Sequence, residues 1–466
     1  MKKIVFISLV AFIFSALFWS CKESFLDQDK PLVSTESMIY TDADKTEMAL
    51  LGLYGSLKGT NGDFMGGKTY IVFDALGDDL IDIDPNGVTL YNTYIMQVLP
   101  STTENITAWY YGYLAINRAN VFIESIEAYN TAEVIGDALA RQYVAEAKFI
   151  RALSYYYLVN LYAAPYTLNR NAKAIPLRLT GIKENGHSNQ ACATNAKIYE
   201  TILSDLSDSE IAALPDDATI KTRATKAAAN MLKMRVFMIM ENWSSAIAAG
   251  NAVSGYSLVS DVEAQFNTPY YTNETIFSLA QSSNDRPNTQ RSPWEYYNTG
   301  KIFVIDKVNG VMSNPNYSLD EDKRVEAFDD DGTLLKYPVR ENWIPVFRFA
   351  ETRLNLAECY ARSSNEGDAR TALSDVRRRS VAADDDPLDI SGLSGTNLLN
   401  AISLEKRLEF LGEGMRGLEI WRKGESFAKT GSLTAAINVA PGSSFYNWPI
   451  PEDEQVNNSL WNELEP

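Results

Sequence analysis

The sequence predicts a mainly α-helical protein, built from paired helices and carrying long irregular loops with a few short strands. Three observations lead there. First, Leu139, Tyr143, Ala147, Ile150, Ser154, Tyr157 and Leu161 recur at steps of three and four, one stripe of a helix over residues 137–162. Ala145, Phe149, Ala152, Tyr156 and Val159 form a second stripe about 200° away at ~100° per residue. A helix with two apolar stripes is packed between neighbours, as in a stacked helical array. Second, a helix over 224–241 is followed by a tight turn and then Ala246 and Ala249, and a helix over 346–362 by a turn and then Ala369 and Ala372. Small residues three apart let two helices approach closely, the geometry of tetratricopeptide-type hairpins; an unrelated helical bundle is the alternative. Third, residues 59–101, 256–337 and 425–466 are irregular, rich in Gly, Asn, Asp and aromatic residues. Loops this long in a compact domain usually carry function.

The remaining elements follow from the same signals. Helices are expected over 104–129, over 195–214 behind the N-cap candidate Thr194, and over 397–411, and a strand-like run over 275–279. No stretch of linker composition interrupts the chain, so residues 45–466 read as a single domain.

The N-terminus reads as an export signal. Lys2 and Lys3 precede an uncharged run from Ile4 to Trp19, 16 residues that fall short of the ~20 a membrane-spanning helix needs. Leu17-Phe18-Trp19-Ser20-Cys21 resembles the lipobox of bacterial lipoproteins, with Phe18 where that pattern carries a small aliphatic residue. Residues 1–20 are therefore expected to be a signal peptide, Cys21 the lipidated N-terminus, and residues 21–44 a tether. The formal net charge of −18, without a basic stripe, excludes nucleic acid as a partner and leaves the lipid as the only membrane contact. Cys192 and Cys359 stand far apart, in neither a metal nor a redox motif, and Cys359 reads as a buried thiol.

Six stretches, taken together, resemble the SusD/RagB family of outer-membrane nutrient-binding lipoproteins. They are residues 20–27 (SCKESFLD), 109–120 (WYYGYLAINRAN), 147–162 (AKFIRALSYYYLVNLY), 346–362 (VFRFAETRLNLAECYAR), 405–424 (EKRLEFLGEGMRGLEIWRKG) and 448–454 (WPIPEDE). The resemblance implies about four tetratricopeptide-like helix pairs, with loops building a ligand face on the other side. It also implies a protein facing the cell exterior that captures an oligosaccharide and passes it to a SusC-type TonB-dependent β-barrel. Some members of the family capture a peptide instead.

Catalytic chemistry is thinly represented. A single histidine, His187, lies in a polar loop, which removes the commonest general base and metal ligand from any cluster. Paired carboxylates are available among 60 Asp and Glu, so a glycoside hydrolase is the reading from another class. Asp82-Ile83-Asp84-Pro85-Asn86-Gly87 matches the opening of a calcium loop, but Thr93 stands where its bidentate Glu belongs, and an acidic turn is expected. Glu405, Arg407, Glu409, Glu413, Arg416 and Arg422 read as ion pairs pinning a helix corner. No catalytic residue, metal or cofactor is expected. Sugars need aromatic platforms beside amide, carboxylate or guanidinium groups. Two loop regions supply that mixture, and from them Tyr70, Asp79, Tyr91, Asn92, Arg286, Trp294, Tyr296 and Tyr297 are the expected ligand contacts. Trp109 and Tyr113, at helical spacing with Ile116 and Asn120, are assigned to the core.

Overall fold

The computed structural model describes residues 35–465 apart from 185, 187, 188, 318, 319 and 431–434. The signal segment, Cys21 and His187 lie outside the described residues. The second half of the expected tether is already helical, with a short turn of helix at Glu36–Tyr40 running into α1, Ala43–Lys58. The other principal helices are α2 (Lys68–Leu76), α3 (Thr103–Ala128), α4 (Asp137–Tyr162), α5 (Asn195–Asp205), α6 (Lys226–Ile239), α7 (Trp243–Asn251), α8 (Phe349–Arg362), α9 (Glu366–Ser380), α10 (Gly395–Glu409) and α11 (Arg416–Lys423).

Packing follows the small-residue signals. The pairs α3–α4, α6–α7 and α8–α9 lie against one another, α7 abuts α8, and α10 crosses α8 and α9. Gly112 is what lets α3 approach α4, since a Cβ there would stand 2.7 Å from Leu158. Ala246, Ala249, Ala369 and Ala372 are all buried at the helix contacts their spacing implied. Both stripes of α4 are buried apart from the half-buried Leu139, and residues 149–163 are enclosed on every side. Caps fix several starts. Thr194 accepts from Lys197 N at 3.2 Å, and Thr225, Asn242 and Asn365 play the same part for α6, α7 and α9, each contributing about 1 kcal/mol.

Three expectations are corrected. The helix expected over 195–214 ends at Asp205, and Ser207, in extended conformation, begins a separate turn at Asp208–Ala213. Residues 344–348 are a strand: Ile344, Val346 and Phe347 are buried in pairing with 275–279, and the helix starts only at Phe349. The loop 59–101 contains α2, whose residues 69–76 are buried all round, so it shows no stripe in the sequence. The strands form two-stranded antiparallel ladders: β1 (Leu80–Asp82) with β5 (Phe303–Ile305), β2 (Lys173–Pro176) with β3 (Cys192–Thr194), β4 (Thr275–Leu279) with β6 (Ile344–Arg348), and β7 (Phe427–Lys429) with β8 (Ile437–Val439). None of the described helices is long and apolar enough to cross a membrane.

Candidate functional site

The two loop regions singled out in the sequence do meet, through backbone and side-chain bonds together. Asn288 N donates to Asn61 O at 2.9 Å, Gln281 Nε2 donates to Gly66 O at 2.9 Å, and Arg291 forms an ion pair with Asp63. Gly67 makes this approach possible: at φ +154°, a Cβ would lie 2.1 Å from Arg291 O. Beneath the contact, Phe303 of β5 packs between Tyr296 at 5.7 Å and Tyr94 at 5.9 Å. Lys68 bridges the same junction, donating to Tyr296 Oη at 3.0 Å and Gln290 O at 3.2 Å. Burial lowers its pKa to about 8, against the opposing pull of Glu104.

Half of the expected ligand contacts are buried in or beside this junction. Tyr296 and Tyr297 are 0 % exposed, and Tyr70 and Asp79 are 4 % and 3 % exposed. Tyr297 Oη donates to Asp74 at 2.8 Å, and Asp79 accepts from Val311 N at 2.8 Å and from Arg407 at 2.5 Å. All four are buried, and Tyr297 and Asp79 are tied to neighbouring elements by these bonds. Their positions in irregular sequence gave no sign of this, because a short π-helical turn at 294–299 and the buried α2 carry no periodic pattern.

Arg286 and Trp294 do lie on one surface, in company the sequence did not reveal. Trp343, just before β6, stacks on Tyr271 with ring centres 5.4 Å apart and planes 26° apart. Its indole N–H donates to Gln281 O at 3.2 Å, and neighbouring Asn342 holds Phe266 O, which brings the 266–271 segment over β6. Arg340 sits 5.5 Å from the centre of the Trp294 ring, and Arg286 pairs with Glu341. Tyr271 remains 39 % exposed; Trp343, Trp294, Arg340 and Glu341 are half-buried and Arg286 is exposed. The result is two aromatic platforms beside two guanidinium groups and a carboxylate, which is chemistry suited to the C–H faces and hydroxyl rim of a sugar. Tyr271, Arg340, Glu341 and Trp343 were missed because tertiary pairing, not sequence proximity, gathers them. Tyr91 lies elsewhere, lining a cleft of about 320 Å³ with Ile95, Met96, Val439 and Phe445, and Asn92 is half-buried on the same short helical turn.

The charged run at the α10–α11 corner is fully engaged, and its partners come from across the molecule. Glu405 binds Arg324 and Arg377, Glu409 binds Arg348, Arg379 and Arg324, and Glu413 binds Lys336 and Arg348. Arg407 and Arg416 clamp Asp79 and Asp78, while Arg422 and Lys406 share Glu358. Burial opposes ionisation of Glu409, yet Arg379, Arg348, Arg324 and Lys336 outweigh it and hold its pKa well below the usual range. The Asp82–Gly87 turn is held from within: Asp84 N donates to Asp82 at 3.0 Å and Val88 N to Asn86 at 2.9 Å. No group of metal-ligating side chains is assembled among the described residues.

Comparison with known proteins places this architecture. The family described as starch-binding, associating with outer membrane, matches residues 35–238, and the SusD family matches residues 262–460. A solved SusD superfamily protein from Bacteroides fragilis is 49 % identical, superposes with a TM-score of 0.87, and is covered over 91 % of this chain and 100 % of its own. The chain belongs to the SusD/RagB family. A SusD-like protein of Formosa agariphila is 27 % identical over 277 residues, 56 % of this chain and 49 % of that protein. A SusD-like protein of Bacteroides ovatus is 23 % identical over 70 % of this chain and 58 % of its own, so the chain spans about half the length of these curated relatives. Surface glycan-binding protein A from Bacteroides thetaiotaomicron, solved with laminarihexaose, shares the fold at a TM-score of 0.70 and 18 % identity, with 89 % of this chain and 97 % of that one covered.

Proposed function

We propose that this protein is a lipoprotein, anchored through Cys21 at the outer face of the outer membrane, that binds an oligosaccharide and hands it to a SusC-type TonB-dependent transporter. The observation that carries the reading is the surface of Tyr271, Trp343, Trp294, Arg340, Arg286 and Glu341, where stacked and cation-capped rings stand beside hydrogen-bonding groups. A related fold holding laminarihexaose supports a glycan as the ligand. The buried carboxylates of the α10–α11 corner are neutralised by arginine and lysine, which favours a binding role over hydrolysis.

The test is calorimetry of the soluble chain, begun after Cys21, against a panel of neutral and acidic oligosaccharides. Trp343→Ala and Trp294→Ala should each weaken binding about tenfold or more while the melting temperature stays within a few degrees of the parent. Binding of peptides and of no glycan would move the assignment to peptide capture. Glycan cleavage that vanishes in a carboxylate variant would make the protein an enzyme.

A further inference from the structure

A second cleft, of about 450 Å³, opens beside α10, and carboxamides dominate its polar lining. Asn397 and Asn400 project from α10, while Asn314 and Asn316 face them from the segment after β5, so carboxamides approach from two sides. Asn314 Oδ1 accepts from Asn316 N at 2.9 Å and the Asn316 carbonyl accepts from Arg377 at 3.0 Å, which fixes that segment. The carboxamides of Asn316, Asn397 and Asn400 have no hydrogen-bond partner among the described residues. Aliphatic surface from Leu388, Leu393 and Leu404 completes the lining.

Charge narrows the ligand class. Among the described residues no carboxylate lines the cleft, although the chain carries a net charge of −18. Its one cation, Arg407, is held bidentate by Asp79 at 2.5 and 3.1 Å, so it offers little to an anion. A neutral ligand dense in donors and acceptors is what remains. A sugar ring carries hydroxyls around its perimeter and C–H groups on its face, matching amides on two sides and aliphatic surface between them.

We propose that this cleft is a second saccharide site, in which Asn314, Asn316, Asn397 and Asn400 recognise the hydroxyl rim of a neutral sugar residue. The proposal rests on the glycan-binding reading above. Without an aromatic platform the site binds weakly alone. Its contribution is to a long chain already held at the Trp343 surface, where a second contact raises the effective affinity.

Native affinity electrophoresis through starch, laminarin, xylan and mannan, paired with calorimetry on short oligosaccharides of whichever polymer retains the protein, separates the sites. The double variant N397A/N400A should lose about tenfold in polymer affinity and keep the parental Kd for the oligosaccharide, whereas Trp343→Ala should lose both. Asn397 and Asn400 are exposed, so an unchanged melting temperature is the folding control. Parental polymer affinity in N397A/N400A, with Trp343→Ala still defective, would refute the second site and leave the first intact. Retention of the parent by none of the four polymers would count against both. Parental polymer binding of the double variant alongside loss of binding to a casein digest would refute the saccharide site and give the cleft to peptide.

Discussion

Two regions of this molecule are rich in arginine and carboxylate, and they use them in opposite ways. At the α10–α11 corner Glu405, Glu409 and Glu413 are buried, and the facing cations are buried with them. On the loop surface Arg286 is open to solvent and its partner Glu341 half-buried, and Arg340 lies over an indole ring instead of a carboxylate. In the first region every carboxylate oxygen of the three glutamates meets an arginine or lysine, so the charges fix the fold. In the second, hydrogen-bonding capacity is left over, and that surplus is what a ligand can use. Charge-rich sequence alone does not separate the two; saturation by partners does.

The largest effect should come from opening the corner. Glu409→Ala leaves Arg348, Arg379 and Arg324 facing one another without their shared carboxylate, and should destabilise the fold by about 3–5 kcal/mol. Urea melts of the variant would measure this. A loss below about 1 kcal/mol would mean that the network is redundant and the contrast between the regions overstated.

How far the sequence anticipates this contrast depends on whether a pattern is local. The helix over 137–162 was legible to the residue, since its stripes come from its own 26 positions. The corner was legible as ion pairs, but not in its partners: Glu274, Arg324 and Arg348 reach it from β6 and from loops far away in the chain. The proposed binding surface was legible only at Arg286 and Trp294. Trp343 meets Tyr271 across 72 positions because β6 pairs with β4, and no spacing rule encodes that. Tyr296 and Tyr297 misled for the converse reason, as aromatic residues in an irregular stretch that serve as its buried anchor.

A medium effect concerns pH, and it again separates the two kinds of carboxylate. Glu358, like Glu409, is depressed: burial is outweighed by Arg422 and Lys406, which hold it at about 2. Such groups contribute stability above their unfolded value of ~4.3, and lose it as pH falls through the folded value. Asp74 runs the other way. Burial lifts its pKa to about 7, although Tyr297 and the Gly414 N–H donate to it. Between ~4 and about 7 the folded state keeps a proton that the unfolded chain releases, so this group lowers stability as pH rises through that window. The melting temperature should therefore peak in mildly acid buffer and fall by a few degrees towards neutrality. Asp74→Asn should flatten the neutral side and leave the acid side unchanged; an unaltered profile would show that Asp74 ionises freely in the fold.

The smallest effect belongs to Arg286, and it is the most discriminating. Its pair with Glu341 is open to solvent, so Arg286→Ala should alter stability by less than about 0.5 kcal/mol. If the loop surface binds glycan as proposed, the same change removes a guanidinium from the rim of the site and should weaken the ligand about three- to tenfold. Arg377→Ala, taken from the corner, should show the reverse: a severe loss of stability and, in whatever fraction folds, unaltered affinity. Should Arg286→Ala leave calorimetric affinity unchanged, the leftover hydrogen-bonding capacity on this surface faces water alone, and the aromatic pair Trp343 and Tyr271 would have to account for recognition without it.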